Sequence, residues 1–181
     1  MKATGIVRRI DELGRVVIPK EIRRTLHIRE GYPLEIFVGK DAEIVLKKYS
    51  PLGELGDSAG DYAQVLHRVS GHTALIADRD VIVSAAGNAA RRLLLDRPVS
   101  AEVEELLNAR RMVSLTENDG ALPPLCEGAQ EDYHAAVIAP ILSEGEVIGM
   151  VALVSQKEDM TLTDQKLAES AAMFLGRQME N

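Results

Sequence analysis

The spacing of glycine and proline in the first fifty residues limits most sharply what this chain can fold into. Gly5, Gly14, Pro19, Gly31, Pro33 and Gly39 cut that stretch into short apolar pieces, each fit for one strand or a brief helix. "TGIVRRID" reads as a strand rich in β-branched residues, "ELGR" as a turn around Gly14, and "RVVIP" as a second strand. Proline at a first helical position gives up no needed N–H, so "PKEIRRTLHI" starts a helix at Pro19. Ile22 and Leu26, four residues apart, form its apolar stripe, and Arg23 and Arg24 point elsewhere. "LEIFV" and "AEIVL" then make a hairpin through "GKDA". The order is β-β-α-β-β. A module of this size, without disulfide or metal, buries too little core to stand alone, and association is the common remedy. An obligate dimer is expected.

Charge separates this module from the rest. Residues 1–50 carry 11 Lys and Arg against 7 Asp and Glu, whereas residues 51–181 carry 10 against 21. A module of net +4 inside a chain of net −7 implies a polyanionic partner for the first part and another task for the second. Between them, "SPLGELGDSAGD" holds one Pro, three Gly and two Ser, the composition of a linker. The expected division is a domain at 1–50, a linker at 51–60 and a second domain at 61–181.

The run "GIVRRIDELGRVVIPKEIRRTLHI", followed by "LEIFV" and "EIVLKKY", resembles the AbrB family of swapped-hairpin transcription regulators across nearly all of residues 1–50. The resemblance implies that two chains interleave their hairpins into one domain that binds double-stranded DNA. It places the family's DNA-contacting positions on Arg8, Arg9, Arg15, Arg23 and Arg24, with Lys2 in addition. With its long second domain the chain is similar to the family's sporulation regulators, which implies a role in sporulation. The residue types fit. Arginine's fixed fork suits phosphate oxygens and guanine edges better than lysine does. The alternative is that these arginines pair with Asp11, Glu12, Glu21 and Glu30 on a solvated face. The fold also serves antitoxins that bind a protein instead of DNA, but those usually end in a short tail, not in a further 130 or so residues. A third reading is a sensor acting through protein contacts, its DNA binding vestigial.

Beyond Asp61 the periodicity changes. "YAQVLHRVSG" sets Tyr62, Val65, Leu66 and Val69 on one helical face and stops at Gly71. "HTALIAD" and "DVIVSAAG" read as strands, "NAARRLLL" and "SAEVEELLNA" as helices, the latter capped by Ser100, and "RMVSLT" as a short strand. "YHAAVIAPIL", "SEGE" and "VIGMVALVSQ" form a hairpin. "TLTD" opens a last helix with a capping box, and Leu167, Ala171, Phe174, Leu175 and Met179 share one face of it. With 3% aromatics and no Trp, the core must be aliphatic. This is an α+β chain whose second domain packs helices on an antiparallel sheet. Pro140, Gly145 and Gly149 in "APILSEGEVIGMVALVS" carry a resemblance to GAF domains, a sensor fold, which implies a small-molecule ligand for this domain and pairing through its terminal helices. Two kinds of pairing together give a homotetramer. "ENDGALPPLCEGAQED" is either a cover for a ligand cleft or a surface insertion.

Several classes are disfavoured. His27, His67, His72, His134 and Cys126 show no metal-ligand spacing, so neither metal nor cofactor is expected. Cys126 and His134 could approach each other as a thiol pair, and Cys126 could sense oxidants if exposed, but nothing else supports an enzyme. Arg91, Arg92 and Arg97 read as an ion-pair face or an anion site. One cysteine suits a reducing compartment. The start "MKATGIVRRIDELG" lacks a signal-peptide core, and the longest apolar runs are far too short to span a membrane, so the cytoplasm is expected.

Overall fold

The computed structural model describes residues 5–26, 28, 30–31, 33–40, 42–54, 57–87, 94–128 and 133–180. The chain divides into two compact units, Met1–Tyr49 and Ser50–Asn181.

The first unit holds a turn, a short helix and a hairpin. α1 spans Lys20–Thr25, with Pro19 at its N-cap position in extended backbone (ψ 146°) and its carbonyl accepting the Arg23 N–H at 2.9 Å. β1 (Leu34–Val38) and β2 (Ile44–Lys48) pair antiparallel from Leu34↔Lys48 to Val38↔Ile44. Lys47 Nζ sits 4.7 Å above the Phe37 ring, a cation–π contact across the hairpin. The two strands expected before α1 form no ladder within one chain. The two segments meet at the turn, where Asp11 N–H donates to the Arg15 carbonyl at 3.0 Å. Strands this short need a neighbouring edge to persist.

The second unit is built on a five-stranded antiparallel sheet in the order β4-β3-β7-β6-β5. α2 (Pro51–Glu54) and α3 (Asp57–Ser70) lead into β3 (Thr73–Asp78) and β4 (Ile82–Ala86). α4 (Ala101–Asn108) and β5 (Val113–Thr116) follow, then the long hairpin of β6 (Ala135–Ser143) and β7 (Glu146–Ser155), and α5 (Leu162–Gln178). Period-two alternation splits each strand between two cores. Ile76, Val137, Ala139, Val151 and Leu153 face α3 and α5, meeting Ala63, Leu66, Ala168, Ala171, Ala172 and Leu175. Leu75, Ile138, Met150 and Ala152 face the other way, against Val103 and Leu107 of α4 and Leu125 of the 117–128 segment.

Local chemistry sets the element ends. Gly71 takes φ +76° and closes α3, as left-handed backbone requires. Ser100 Oγ accepts the Val103 N–H at 3.2 Å and starts α4. At α5 the capping box is complete, since Thr161 Oγ1 accepts the Asp164 N–H while Asp164 Oδ2 accepts the Thr161 N–H at 2.9 Å. Burial raises the Asp164 pKa, but the Thr161 hydrogen bonds and nearby His72 outweigh it, leaving the carboxyl below its ordinary value.

Two expectations are revised. The 51–60 segment is helical at Pro51–Glu54 and from Asp57 onward, and Leu52 is wholly buried in the α3/α5 core. At Gly53 a Cβ would lie 3.0 Å from Ser50 Oγ. On α5 the buried face is Ala168, Ala171, Ala172, Leu175 and Gly176, and Phe174 is exposed. Small side chains bring this helix close, and a Cβ at Gly176 would run into the Leu142 carbonyl. "NAARRLLL" lies almost wholly outside the described residues. No helix among the described residues is long and apolar enough to cross a membrane.

Gly176→Ala should lower the stability of the second unit by about 1–3 kcal/mol, because α5 must move off the sheet. Thermal unfolding of the variant measures this, and an unchanged midpoint would show that α5 is not held at that distance.

Candidate nucleic-acid interface

The five candidate arginines lie on a frame built by the turn and α1. Arg8 and Arg9 lie just before the turn, and Arg15 is its last residue. Asp11 shapes the turn: its Oδ1 accepts the N–H of Leu13 at 3.0 Å and that of Arg15 at 2.8 Å, and its carbonyl accepts the Gly14 N–H at 3.0 Å. Gly14 takes φ +76°, a conformation that favours glycine. Arg23 and Arg24 occupy the last turn of α1, where cations meet the negative end of the helix dipole. The Arg23 carbonyl accepts the Ile28 N–H at 2.8 Å, and Thr25 Oγ1 donates to the Glu21 carbonyl at 2.8 Å, which fixes the helix end.

All five side chains are exposed. Among the described residues no carboxylate lies within ion-pair distance of any of them. The ion pairs of a solvated charged face with Asp11, Glu12, Glu21 and Glu30 are not formed among the described residues. Asp11, a supposed partner, spends its carboxylate on backbone N–H groups. Lys2 lies outside the described residues.

Around the arginines the first unit exposes much apolar surface. Ile6, Val7, Ile10, Leu13, Val16 and Val17 are open, with Val7 at 89%. So is the hairpin face made by Ile36, Val38, Ile44 and Leu46, with Val38 at 81%. Pro19 alone is buried among this unit's described residues.

In the second unit the candidate chemistry is dispersed. Cys126 is fully buried in the core facing α4, which removes the exposure that redox sensing needs. Both His134 ring nitrogens are taken by carboxylates, Nδ1 at 2.6 Å from Glu117 Oε1 and Nε2 at 2.9 Å from Asp159 Oδ1. A thiol–imidazole pair is thus not formed. The segment holding Cys126 is tied down: Tyr133 Oη donates to the Pro123 carbonyl at 2.6 Å, and Ser100 N–H donates to the Leu125 carbonyl at 3.1 Å. Arg91 and Arg92 lie outside the described residues. Among the described residues no group of three His, Cys, Asp or Glu could hold a metal ion.

Residues 54–180 match the family described as stage V sporulation protein T C-terminal, transcription factor. The chain is 49% identical to Stage V sporulation protein T of Bacillus subtilis (strain 168), over 99% of each chain. The chain belongs to the stage V sporulation protein T family. It is a transcription regulator of sporulation. Residues 7–53 match the family of the MazE bacterial antitoxin, described as antidote-toxin recognition. A shorter match, 67% identical over 51 residues, is to the transition state regulatory protein AbrB of the same Bacillus strain. It covers 28% of this chain and 52% of that protein. The GAF domain of an Acinetobacter phosphoenolpyruvate-protein phosphotransferase shares the fold of the second unit. Its TM-score is 0.58 at 11% identity, over 74% of this chain and 84% of that one. The stage V sporulation protein T family member described here is thus α+β, with an AbrB-like first module and a GAF-like second one.

Two outcomes follow from these surroundings. Arg23→Ala/Arg24→Ala should change folding stability by less than about 0.5 kcal/mol, since neither side chain is buried or paired with a carboxylate among the described residues, and denaturant unfolding checks this. For His134, the Glu117 hydrogen bond, then Asp159, raises the imidazole pKa above 6.5 despite some burial. A raised folded-state value stabilises fully below the ordinary one and is lost as pH climbs through the raised one. The thermal midpoint of His134→Gln should therefore fall furthest below wild type on the acid side of neutrality, with the gap closing in alkali.

Proposed function

We propose that this regulator binds double-stranded DNA through Arg8, Arg9, Arg15, Arg23 and Arg24, with Lys2 alongside, as a dimer of interleaved N-terminal units. The observation that carries the reading is the set of five exposed guanidinium groups with no carboxylate partner among the described residues, in the one basic module of an acidic chain. Interleaving covers the apolar face of the hairpin and the strands that flank the turn. It also doubles the arginines.

The second unit joins dimers into a tetramer. α3 turns Val65 and Val69 outward, and α5 turns out Met173 and Phe174, with Val69 at 63% and Met173 at 68% exposure. Tyr62 stacks on Phe174 with ring centroids 5.3 Å apart, so the two helices present one apolar face. Linked DNA-binding heads gain avidity through effective concentration. A small molecule received by the GAF-like unit alters the spacing of those heads. The protein acts in the cytoplasm, as a regulator and not as an enzyme.

The antitoxin match favours a second reading, in which the same basic surface holds an acidic protein. A salt titration separates the two. Duplex DNA contacted through six to ten phosphates should lose about 10³–10⁵ in affinity between 50 and 200 mM salt. Arg23→Ala/Arg24→Ala should lower the salt slope by roughly 3 to 4 per dimer. If the wild type binds no duplex, or the double variant binds equally well, the arginines serve another partner. For the tetramer, the full chain should bind DNA more tightly than isolated residues 1–52, and equal affinity would remove that part of the proposal.

A further inference from the structure

A carboxylate in the midst of arginines that face a polyanion is an electrostatic liability, since it repels the same phosphates the arginines attract. Asp11 and Glu12 are two such groups, side by side between Arg9 and Arg15. Their surroundings differ. Glu12 is exposed and, among the described residues, makes no hydrogen bond or ion pair. Asp11 accepts the backbone N–H groups of Leu13 and Arg15 through one oxygen, Oδ1, and its own backbone closes the same turn with Arg15 and Gly14. Four hydrogen bonds thus converge on one residue, and two of them end on the backbone of Arg15.

We propose that Asp11 is a positioning residue of the DNA-contacting surface, acting as a neutral-equivalent hydrogen-bond acceptor and not as a charge partner. The inference rests on the DNA-binding reading above. The turn it holds fixes the direction in which the chain leaves Arg9 and returns at Arg15, so both guanidinium groups reach DNA from a preset backbone. Ordering that frame beforehand removes a cost that binding would otherwise bear. Only the Oδ1 acceptor is needed for this. The negative charge is incidental, and asparagine, which keeps a carbonyl oxygen at the same place, should serve.

The test uses the full chain and a duplex enriched by the wild type from a random-sequence pool, with Asp11→Ala, Asp11→Asn and Glu12→Ala compared across salt. Asp11→Ala should weaken binding by roughly tenfold, the scale of two lost net hydrogen bonds. Its salt slope should match wild type, because no cation is removed. Asp11→Asn should bind within about threefold of wild type or more tightly, a rescue that a requirement for charge would not give. Glu12→Ala should bind as well as wild type or better. Three results would overturn the proposal: Asp11→Ala binding like wild type, Asp11→Asn falling as far as Asp11→Ala, or Glu12→Ala falling with them. Failure of the wild type to bind any duplex is a different result, which removes the DNA reading itself. Should Asp11→Ala not fold, the Asp11→Asn comparison still decides between acceptor and charge.

Discussion

The first unit cannot bury its own apolar surface, and the rest of the molecule's design follows from that. Fifty residues with short strands leave Val7, Val17, Val38 and Ile44 open, and no hydrophobic cluster forms in this unit among the described residues. Apolar surface removed from water is worth about 25 cal/mol per Å², so side chains of this kind are the natural driving force for association. In the proposed dimer a second copy covers this surface and doubles the cations, so that fold and electrostatic function depend on one event.

The second unit stands in contrast. Its sheet is covered on both faces, by α3 and α5 on one side and by α4 and residues 122–126 on the other. Alanines on α5 and the bare backbone at Gly176 let the helix lie close to β6, which frees the larger Met173 and Phe174 for the outer surface. The inner face is mostly small, with Leu175 its one large buried side chain among the described residues, while Met173 and Phe174 stay outside.

That arrangement explains where the sequence could be read and where it could not. Elements fixed by local chemistry were legible: the stop at Gly71, the cap at Ser100, the capping box of Thr161 and Asp164, and the hairpin turn at Glu144 and Gly145, both at positive φ. The buried face of α5 was only partly legible, because hydrophobicity points to Phe174 while packing selects Ala168 and Ala172. Glycine content marked 51–60 as a linker, yet glycine also permits close approach, and Leu52 anchors that stretch in the core. The segments before α1, which read as strands from their β-branched residues, carry no strand among the described residues of one chain. At the candidate interface charge and motif point to the arginines, and the structure leaves them exposed. The role of Asp11 was not, since an acidic residue among arginines reads as an ion pair until the backbone N–H groups of Leu13 and Arg15 are seen to take its carboxylate.

The most direct test of this account is the concentration dependence of folding for residues 1–50, followed by circular dichroism and sedimentation on the same samples. Folding coupled to association makes the unfolding midpoint rise with protein concentration, and the folded species should sediment as a dimer. A folded monomer whose midpoint does not change with concentration would contradict the account, because the exposed residues around Arg8, Arg15 and Arg23 would then need no second chain.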